Sequence, residues 1–240
     1  MPAVLPPKIA PGQNLLIDAD DTLWENNIYF ERAITDFISF LNHRHYTPDQ
    51  VRHVLYEVER QNIQKHGYGM HSFAGALVIC FEKLSEEQVT PEWDETIRSL
   101  AFKIAEHPME ILPNVPETLA ELSQRHRLFM VTKGNFAEQT GKVERSGLKQ
   151  YFRAIEVVAE KDAGAYRAVV EKFGLLPDVT WMIGNSPKSD INPALEAGLH
   201  AVFVPHDKTW MLERDELRQS SDHLRRLLQV ESFAGLRDFF

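Results

Sequence analysis

The sequence predicts an α/β fold, in which a parallel sheet is covered by helices and a helical module is inserted after the first strand. Five short apolar runs have the character of buried parallel strands. They are Asn14–Ile17, Leu128–Val131, Ala154–Val158, Trp181–Ile183 and Ala201–Val204. From the second run onward they alternate with stretches of helical spacing. Gly147, Gly174 and Gly198 stand near the ends of those stretches, where a left-handed helix cap is favoured. This alternation is typical of a doubly wound α/β domain.

The long stretch between the first and second strands has apolar residues three and four positions apart, as on one face of a helix. Three such faces are Phe30, Ile34, Phe37, Ile38 and Leu41; Val51, Val54, Leu55 and Val58; and Trp93, Ile97, Leu100 and Ile104. Thr47-Pro48-Asp49-Gln50 predicts a helix start with a capping box, and Thr90-Pro91 predicts another start. We therefore predict a core domain of residues 1–23 and 108–240 and a helical domain of residues 24–107. A last helix, over Asp215–Val230, is expected to pack on the core.

Composition and charge indicate a globular protein that acts on a small ligand. The chain of 240 residues is 43% hydrophobic and 25% charged, with a formal net charge of −9. Because it has no basic block, a nucleic-acid polymer or an anionic membrane surface is not the expected partner. The longest nearly apolar run, Phe73–Phe81, is far shorter than the roughly 20 residues of a transmembrane helix.

The N-terminal stretch and the cysteine content bear on the compartment. Met1–Gly12 is rich in proline and lacks the basic region and long apolar stretch of a signal peptide, so a cytoplasmic location is expected. Cys80 is the single cysteine, which excludes internal disulfides and a zinc cluster built on cysteines. We expect it to be a small buried side chain.

The strongest chemical signal is an apolar strand that ends in carboxylates, within Leu15–Leu23. Residues two apart in an extended chain share a face, so Asp18 and Asp20 can point together past the strand end, where open α/β sheets bind ligands. One such carboxylate can attack phosphorus while the other protonates the leaving group and then activates water. On this motif alone, a solvated acidic turn is the alternative. An EF-hand is excluded, because Leu23 and Tyr29 stand where its loop needs Gly and Glu.

Polar residues follow three more of the predicted strands. Thr132 offers a hydroxyl before a helix that starts near Asn135, and Lys161 offers a cation for a carboxylate and phosphoryl oxygens. The stretch Gly184–Asp190 offers oxygen ligands of the kind that Mg²⁺ prefers. Each of these residues taken singly is also compatible with a structural role. Together with the first motif they place four polar sites at one edge of one sheet.

These motifs resemble those of the haloacid dehalogenase-like superfamily: Asp-x-Asp-x-Thr, a Ser or Thr, a Lys, and Gly-Asp-x-x-x-x-Asp. The resemblance runs from about Leu15 to Pro205 and implies a Rossmann-like parallel-sheet core with an inserted α-helical cap. It implies a phosphatase that works through an aspartyl-phosphate, with Asp18 as nucleophile and Asp20 as acid/base. The implied ligands are Thr132 and Lys161 for phosphate, and Asp18, the backbone carbonyl of Asp20, Asn185 and Asp190 for Mg²⁺.

Two departures from the family pattern affect the expected chemistry. Asn185 stands where the family commonly has an aspartate, so the expected metal site has one negative charge fewer. Lys133 replaces the asparagine that often follows the Thr, and adds a cation near the substrate phosphate. Asn185 keeps two alternatives open, a 2-haloacid dehalogenase and a weakly catalytic protein that binds a phosphorylated ligand. Asp20 favours the phosphatase over the dehalogenase, because a halide leaving group needs no protonation.

The inserted helical cap is expected to choose the substrate, a small phosphorylated metabolite that the sequence does not name. Within it, Arg60–His71 is predicted to form a polar loop with glycine hinges between two helices. Lys65, Tyr68 and His71 are the predicted substrate contacts in this loop. An ordinary exposed turn is the alternative.

Overall fold

The computed structural model describes residues 8–85, 88–219 and 225–240. The chain forms two compact units. The core unit comprises Met1–Glu25 and Met109–Phe240, and the helical unit comprises Asn26–Pro108. The first seven positions of the proline-rich N-terminal stretch lie outside the described residues.

The core unit is built on a six-stranded parallel sheet, which confirms the predicted fold class and all five predicted strands. The strands are β1 (Asn14–Ile17), β2 (Arg127–Lys133), β3 (Ala154–Val158), β4 (Thr180–Gly184), β5 (His200–Phe203) and β6 (Leu227–Gln229). The α-helices are α1 (Asn27–Leu41), α2 (Pro48–His66), α3 (Met70–Leu84), α4 (Pro91–Phe102), α5 (Val115–Arg125), α6 (Phe136–Ser146), α7 (Ala163–Lys172) and α8 (Asn192–Glu196). The spatial order of the strands, β3-β2-β1-β4-β5-β6, is that of a Rossmann-type sheet.

Strand β1 lies at the centre of the sheet, between β2 and β4. Its last residue, Ile17, is opposite Met130 on one side and Ile183 on the other. The order of the strands reverses at this point, because the chain passes from β1 to β2 on one side and from β3 to β4 on the other. In open α/β sheets such a reversal leaves a crevice at the carboxyl ends of the strands, where ligands bind.

Both faces of the sheet are covered, and this explains the unbroken apolar runs of its strands. Leu15 and Ile17 pack on one face with side chains of α5 and α6. Leu16 between them packs on the other face with α7. Gly147, Gly174 and Gly198 have positive φ angles of 65°, 59° and 84° after the helices of the core unit, as predicted.

The prediction of a helix over Asp215–Val230 is wrong. Residues 215–219 are irregular, 220–224 lie outside the described residues, and Leu227–Gln229 forms β6 at the edge of the sheet. Strand β6 pairs in parallel with β5, with Val202 opposite Leu228. This pairing satisfies backbone N–H and C=O groups of β6. Pairing with another strand cannot be recognised from the spacing of apolar residues within the segment itself.

The helical unit consists of α1–α4 and a short 3₁₀ turn, packed around a core of their own. Buried members of this core include Phe37, Leu55, Leu77, Cys80 and Ile97. The Thr47 hydroxyl accepts a hydrogen bond from the backbone N–H of Gln50, whose side chain accepts one from the N–H of Thr47, so the predicted capping box is present. Thr90 caps α4 in the same way by accepting from the N–H of Trp93. The side chain of Cys80 is fully buried, as expected.

The predicted polar loop over Arg60–His71 is much shorter in the structure. Helix α2 continues through His66 and α3 begins at Met70, so only residues 67–69 connect them. Gly67 and Gly69 have φ angles of 74° and 125°, which L side chains rarely adopt. Two glycines therefore allow a connection of three residues where a longer loop was expected. Along the three described ranges, no helix is both long and apolar enough to cross a membrane.

Candidate active site

The carboxyl ends of β1 and β4 bring two predicted site residues together. Asp18 follows β1 directly, and Asn185 follows β4. The backbone N–H of Asp18 donates to the carbonyl of Ile183 at 2.9 Å, which extends the pairing of the two strands by one residue. Both side chains are buried, with 6% exposure for Asp18 and 5% for Asn185.

A tight turn after β1 folds the first motif back on itself. Asp21 adopts the left-handed region with φ of 59°, a conformation that Asp tolerates better than most residues. Its N–H donates to the carbonyl of Trp24 at 2.8 Å. As a result the hydroxyl of Thr22 reaches back to donate to Asp18 Oδ2 at 2.9 Å.

Lys161 links two carboxylates in the buried centre of the site. Its Nζ donates to Asp18 Oδ1 and, at 2.7 Å, to Asp190 Oδ1. Burial, followed by the charge of Asp190, raises the pKa of Asp18 to about 7, against the lowering effect of Lys161. One ammonium between two buried carboxylates leaves this centre with an excess negative charge.

The turn after β4 holds Asp190 against the backbone. A π-helical turn, Pro187–Ile191, returns its carboxylate to the end of β4, where Asp190 Oδ2 accepts from the N–H of Ser186 at 2.9 Å. A Cβ at Gly184 would lie 2.3 Å from Asp190 Oδ2. Only glycine leaves room for the carboxylate at this position. Single turns of π-helix are frequent at functional sites.

The orientation of the Asn185 amide follows from its hydrogen bonds. The Thr209 hydroxyl donates to the carbonyl of His206 at 2.8 Å and therefore acts as acceptor for Asn185 Nδ2 at 3.2 Å. This directs Asn185 Oδ1 toward the Thr22 hydroxyl, 3.3 Å away, and hence toward Asp18. Sequence reasoning missed Thr209, because it lies in an irregular segment after the last predicted strand and matches no motif.

Asp20 is held apart from the Lys161 centre by a different set of donors. Trp24 Nε1 donates to Oδ1 at 2.7 Å, Gln139 Nε2 donates to Oδ2 at 2.9 Å, and Lys142 Nζ contacts both oxygens. Burial alone acts to raise its pKa, yet the charge of Lys142 and the hydrogen bonds from these donors bring the pKa below its ordinary value. Asp20 is therefore ionised at neutral pH in this arrangement. Gln139 and Lys142 were not predicted; their only sequence signal is that they lie on the helix after the second motif.

The two predicted phosphate ligands on β2 have different surroundings. Thr132 is buried near the end of β2, opposite Val157 of β3. Lys133 Nζ lies 2.6 Å from Glu213 Oε1 and 3.1 Å from Glu160 Oε1. Burial acts to raise the pKa of Glu213, but Lys133 and the hydrogen bonds to the carboxylate lower it. The pairing of Lys133 with two acids was not predicted, because one of them, Glu213, is 80 positions away.

A family model described as haloacid dehalogenase-like hydrolase matches residues 13–198, which is more than half of the chain. The chain belongs to the haloacid dehalogenase-like hydrolases. A solved structure of a hydrolase of this family from Xanthomonas campestris is similar over 94% of this chain and 93% of that chain, with 28% identity and a TM-score of 0.78. The family membership that the sequence motifs indicated is thus confirmed.

Members of different activity are among the similar proteins. A glyceraldehyde 3-phosphate phosphatase of Methanothermobacter thermautotrophicus is 29% identical over 116 residues, 45% of this chain and 50% of that protein. The chain therefore spans about half the length of this curated relative. A 2-haloacid dehalogenase from Pseudomonas syringae shares the fold, with 19% identity, a TM-score of 0.59 and coverage of 95% and 97%.

The residues of this haloacid dehalogenase-like hydrolase fit a magnesium ion by their donor chemistry. The predicted set supplies carboxylate, amide and backbone carbonyl oxygens, which are hard ligands suited to Mg²⁺. Asn185 Oδ1 is directed toward Asp18 by Thr209, as a ligand would need to be. When bound, the cation would supply positive charge that lowers the pKa of Asp18 and offsets phosphoryl oxygens.

A second group of metal-ligand types lies close to the first motif and was not predicted. Asp21, Glu25 and His206 have side-chain ligand atoms within 4.8 Å of one another. His206 Nε2 lies 3.3 Å from Glu25 Oε2, so these two side chains are already ion-pair partners when the histidine is protonated.

The three predicted substrate contacts of the helical unit lie at the connection between α2 and α3. Lys65 is in the last turn of α2, Tyr68 is in the short link, and His71 is in the first turn of α3. The ring of His71 packs edge-on against Phe102, with 5.1 Å between the ring centres. All three residues thus lie within one short stretch of the helical unit.

Proposed function

We propose that this protein is a magnesium-dependent phosphatase of small phosphomonoesters, with Asp18 as nucleophile and Asp20 as acid/base. The observation that carries the proposal is the presence of two carboxylates in one tight turn, each with its own lysine. Asp18 contacts Lys161 and Asp20 contacts Lys142. Phosphoryl transfer through an aspartate needs both a nucleophile and a separate proton carrier, and this turn supplies both.

In the first half-reaction an oxygen of Asp18 attacks phosphorus, and the bond between phosphorus and the leaving oxygen breaks. Asp20 gives its proton to the leaving alkoxide. The approach of a phosphate dianion raises the pKa of Asp20, because like charges disfavour ionisation, so the carboxyl can carry a proton at that stage. In the second half-reaction Asp20 takes a proton from water, the water oxygen attacks phosphorus, and the bond to Asp18 breaks.

Lys161 serves this reaction by charge and position. Its ammonium is buried between Asp18 and Asp190, and the two carboxylates keep its pKa above its ordinary value against the effect of burial. It therefore stays charged and offsets negative charge that develops on the phosphoryl oxygens. Thr132 is assigned to phosphate binding beside it. We assign Asp18, the backbone carbonyl of Asp20, Asn185 and Asp190 to the magnesium ion.

We propose a role for Lys133 that differs from the predicted one. Its partners Glu213 and Glu160 neutralise its charge, and Ser189 accepts a further hydrogen bond from it at 2.9 Å. A lysine that is already compensated by two carboxylates attracts phosphate less than a free one. We propose that Lys133 binds phosphate only through rearrangement of these pairs and mainly supports the turn after β4.

The curated relatives support a substrate class, and the helical unit carries the predicted substrate contacts. A curated relative acts on glyceraldehyde 3-phosphate, which favours a small phosphorylated metabolite here. We propose that Lys65, Tyr68 and His71 contribute to its recognition. Charge-removing and ring-removing variants at these positions should change KM among phosphorylated metabolites and leave kcat for p-nitrophenyl phosphate nearly unchanged.

A 2-haloacid dehalogenase is the second candidate, favoured by Asn185 and by the shared fold of a dehalogenase. In that reaction a carboxylate oxygen displaces halide from carbon, and no proton is transferred to the leaving group. The four hydrogen bonds that hold Asp20 would then have no catalytic purpose. The phosphatase uses more of the residues that this site contains.

The test is release of nitrophenol from p-nitrophenyl phosphate, with and without Mg²⁺, by the wild type, Asp18→Asn and Asp20→Asn. Metal-dependent release that both variants lose supports the proposal. Chloride release from 2-chloropropionate with no phosphate release would support the dehalogenase instead. Binding of phosphorylated ligands without any turnover would support the third candidate, a weakly catalytic binding protein. Asn185→Asp would then be tested for a gain of metal-dependent turnover.

A further inference from the structure

We propose that Lys142 and Gln139 are positioning residues that orient the carboxylate of Asp20 for proton transfer. The inference rests on the proposed phosphatase function and adds residues that the sequence motifs do not contain. Both residues act through Asp20 and are not assigned any contact with substrate.

The contacts on Asp20 fix both of its oxygens. Oδ1 accepts from Trp24 Nε1 at 2.7 Å and from Lys142 Nζ at 2.9 Å. Oδ2 accepts from Gln139 Nε2 at 2.9 Å and from Lys142 Nζ at 2.8 Å. Because the ammonium of Lys142 bridges the two oxygens and the other donors approach one oxygen each, rotation of the carboxylate would break several hydrogen bonds at once.

Helix α6 presents the two residues on one side. Gln139 and Lys142 are three positions apart, which places their side chains on the same face of the helix. Asn135 caps the helix by accepting from the N–H groups of Ala137 and Glu138, at 3.0 and 3.1 Å. The cap fixes the start of the helix that carries both donors.

Gly134 makes room for Gln139. Its φ angle is 143°, and an added Cβ would lie 3.0 Å from Gln139 Nε2. The same nitrogen donates to the backbone carbonyl of Lys133 at 3.2 Å. The chain between β2 and α6 is thus shaped around the side chain that binds Asp20.

The position of Lys142 makes a specific kinetic effect expected. Asp20 and Lys142 are partly buried, with 20% and 19% side-chain exposure, so their pairing is stronger than that of a surface pair. Without Lys142 the carboxylate keeps Trp24 and Gln139 but loses the bridge between its oxygens. The loss of the ammonium makes the carboxyl easier to protonate, but it also lets the carboxyl turn away from the leaving oxygen. We expect the lost orientation to make proton transfer less efficient, most of all when the leaving group is a poor one.

The experiment compares kcat/KM for phenyl phosphate, which has a poor leaving group, with that for p-nitrophenyl phosphate, which has a good one. In Lys142→Met we expect a loss of about tenfold to hundredfold on phenyl phosphate and less than about threefold on p-nitrophenyl phosphate. Lys142→Arg should restore most of the loss, since a guanidinium also bridges two carboxylate oxygens. Lys149→Met is the matched control, because Lys149 is 60% exposed and pairs with Glu144.

Gln139→Met gives a second test in case Lys142→Met fails to fold. It should also lower kcat/KM for phenyl phosphate more than for p-nitrophenyl phosphate, by a smaller factor. Equal losses on both substrates would reduce Lys142 to a structural role and overturn the inference, as would no loss at all. Absence of turnover by the wild type on both substrates would instead refute the proposed function, and this inference with it. The wild-type measurement alone separates the two failures.

Discussion

Glu59 provides a prediction about stability that is independent of catalysis. It lies on α2 with 5% exposure, and its Oε2 is buried with no hydrogen-bond partner among the described residues. Burial, with a smaller contribution from the charge of Glu31, raises its pKa from 4.5 to about 8. The folded state therefore holds a proton on Glu59 that the unfolded state releases above its own pKa.

The sign of the effect follows from linkage. The pKa of Glu59 is higher in the folded state than in the unfolded state. Its contribution to the free energy of unfolding is therefore fully present below pH 4.5 and is lost as the pH rises through about 8. Each pKa unit corresponds to about 1.4 kcal/mol, so the whole window removes about 5 kcal/mol from the free energy of unfolding. Glu59→Gln has the same shape and no charge. The variant should equal the wild type near the acid end and exceed it increasingly toward the alkaline end.

The assay uses Cys80, which is the only cysteine of the chain and is fully buried in the helical unit. Each protein is equilibrated in urea at several pH values and pulsed with 4,4′-dithiodipyridine, which reacts with thiols in acid and in base. The labelled fraction reports unfolding of the helical unit, whatever the core unit does. Glu57→Gln is the control, because Glu57 is a partly exposed residue paired with Arg60. A constant difference between Glu59→Gln and wild type across the pH range would refute the reasoning.

Three further predictions concern the core unit. Gly184→Ala should lower kcat by at least about tenfold, because the added Cβ displaces Asp190 from Lys161. The melting temperature is measured in parallel, and an unchanged kcat would contradict this prediction. Thr209→Val should weaken Mn²⁺ or Mg²⁺ binding by about tenfold, because the Asn185 amide loses the partner that orients it. The affinity is measured by calorimetry, and an unchanged affinity would contradict this prediction. Glu213→Gln should lower the free energy of unfolding in urea, followed by tryptophan fluorescence, by about 2 kcal/mol, since it leaves Lys133 with less compensation. Equal stability would count against the pairing.

The sheet was predictable because its strands are buried on both faces. Such strands are apolar throughout, so β1 and β4 are visible in the sequence without any partner being known. Strand β6 was not visible, because Leu227–Gln229 is a three-residue edge strand that is only partly buried. The connection after α2 was predicted too long, because the end of α2 carries exposed polar residues that resemble loop residues. They are Arg60, Gln61, Gln64, Lys65 and His66.

The site was predictable where chemistry is tied to strand ends, and unpredictable where it depends on side chains distant in sequence. Asp18, Lys161 and Asp190 were predicted to lie together because each follows a strand, and the structure brings them into contact. The donors to Asp20 were not identified, because Gln139 and Lys142 have the spacing of any polar helix face. Contacts over more than a hundred positions depend on how α6 lies against the turn that follows β1, which no local pattern encodes.

The most direct test of the central claim is chemical trapping of the intermediate on Asp18. The wild type is mixed with excess p-nitrophenyl phosphate and Mg²⁺, quenched in acid within one turnover, reduced with borohydride and digested for mass spectrometry. An aspartyl-phosphate is reduced to homoserine, so we predict homoserine at position 18 and unmodified aspartate at position 20. Nitrophenol release with no homoserine at position 18 would contradict the account, because phosphate would then reach water without passing through Asp18.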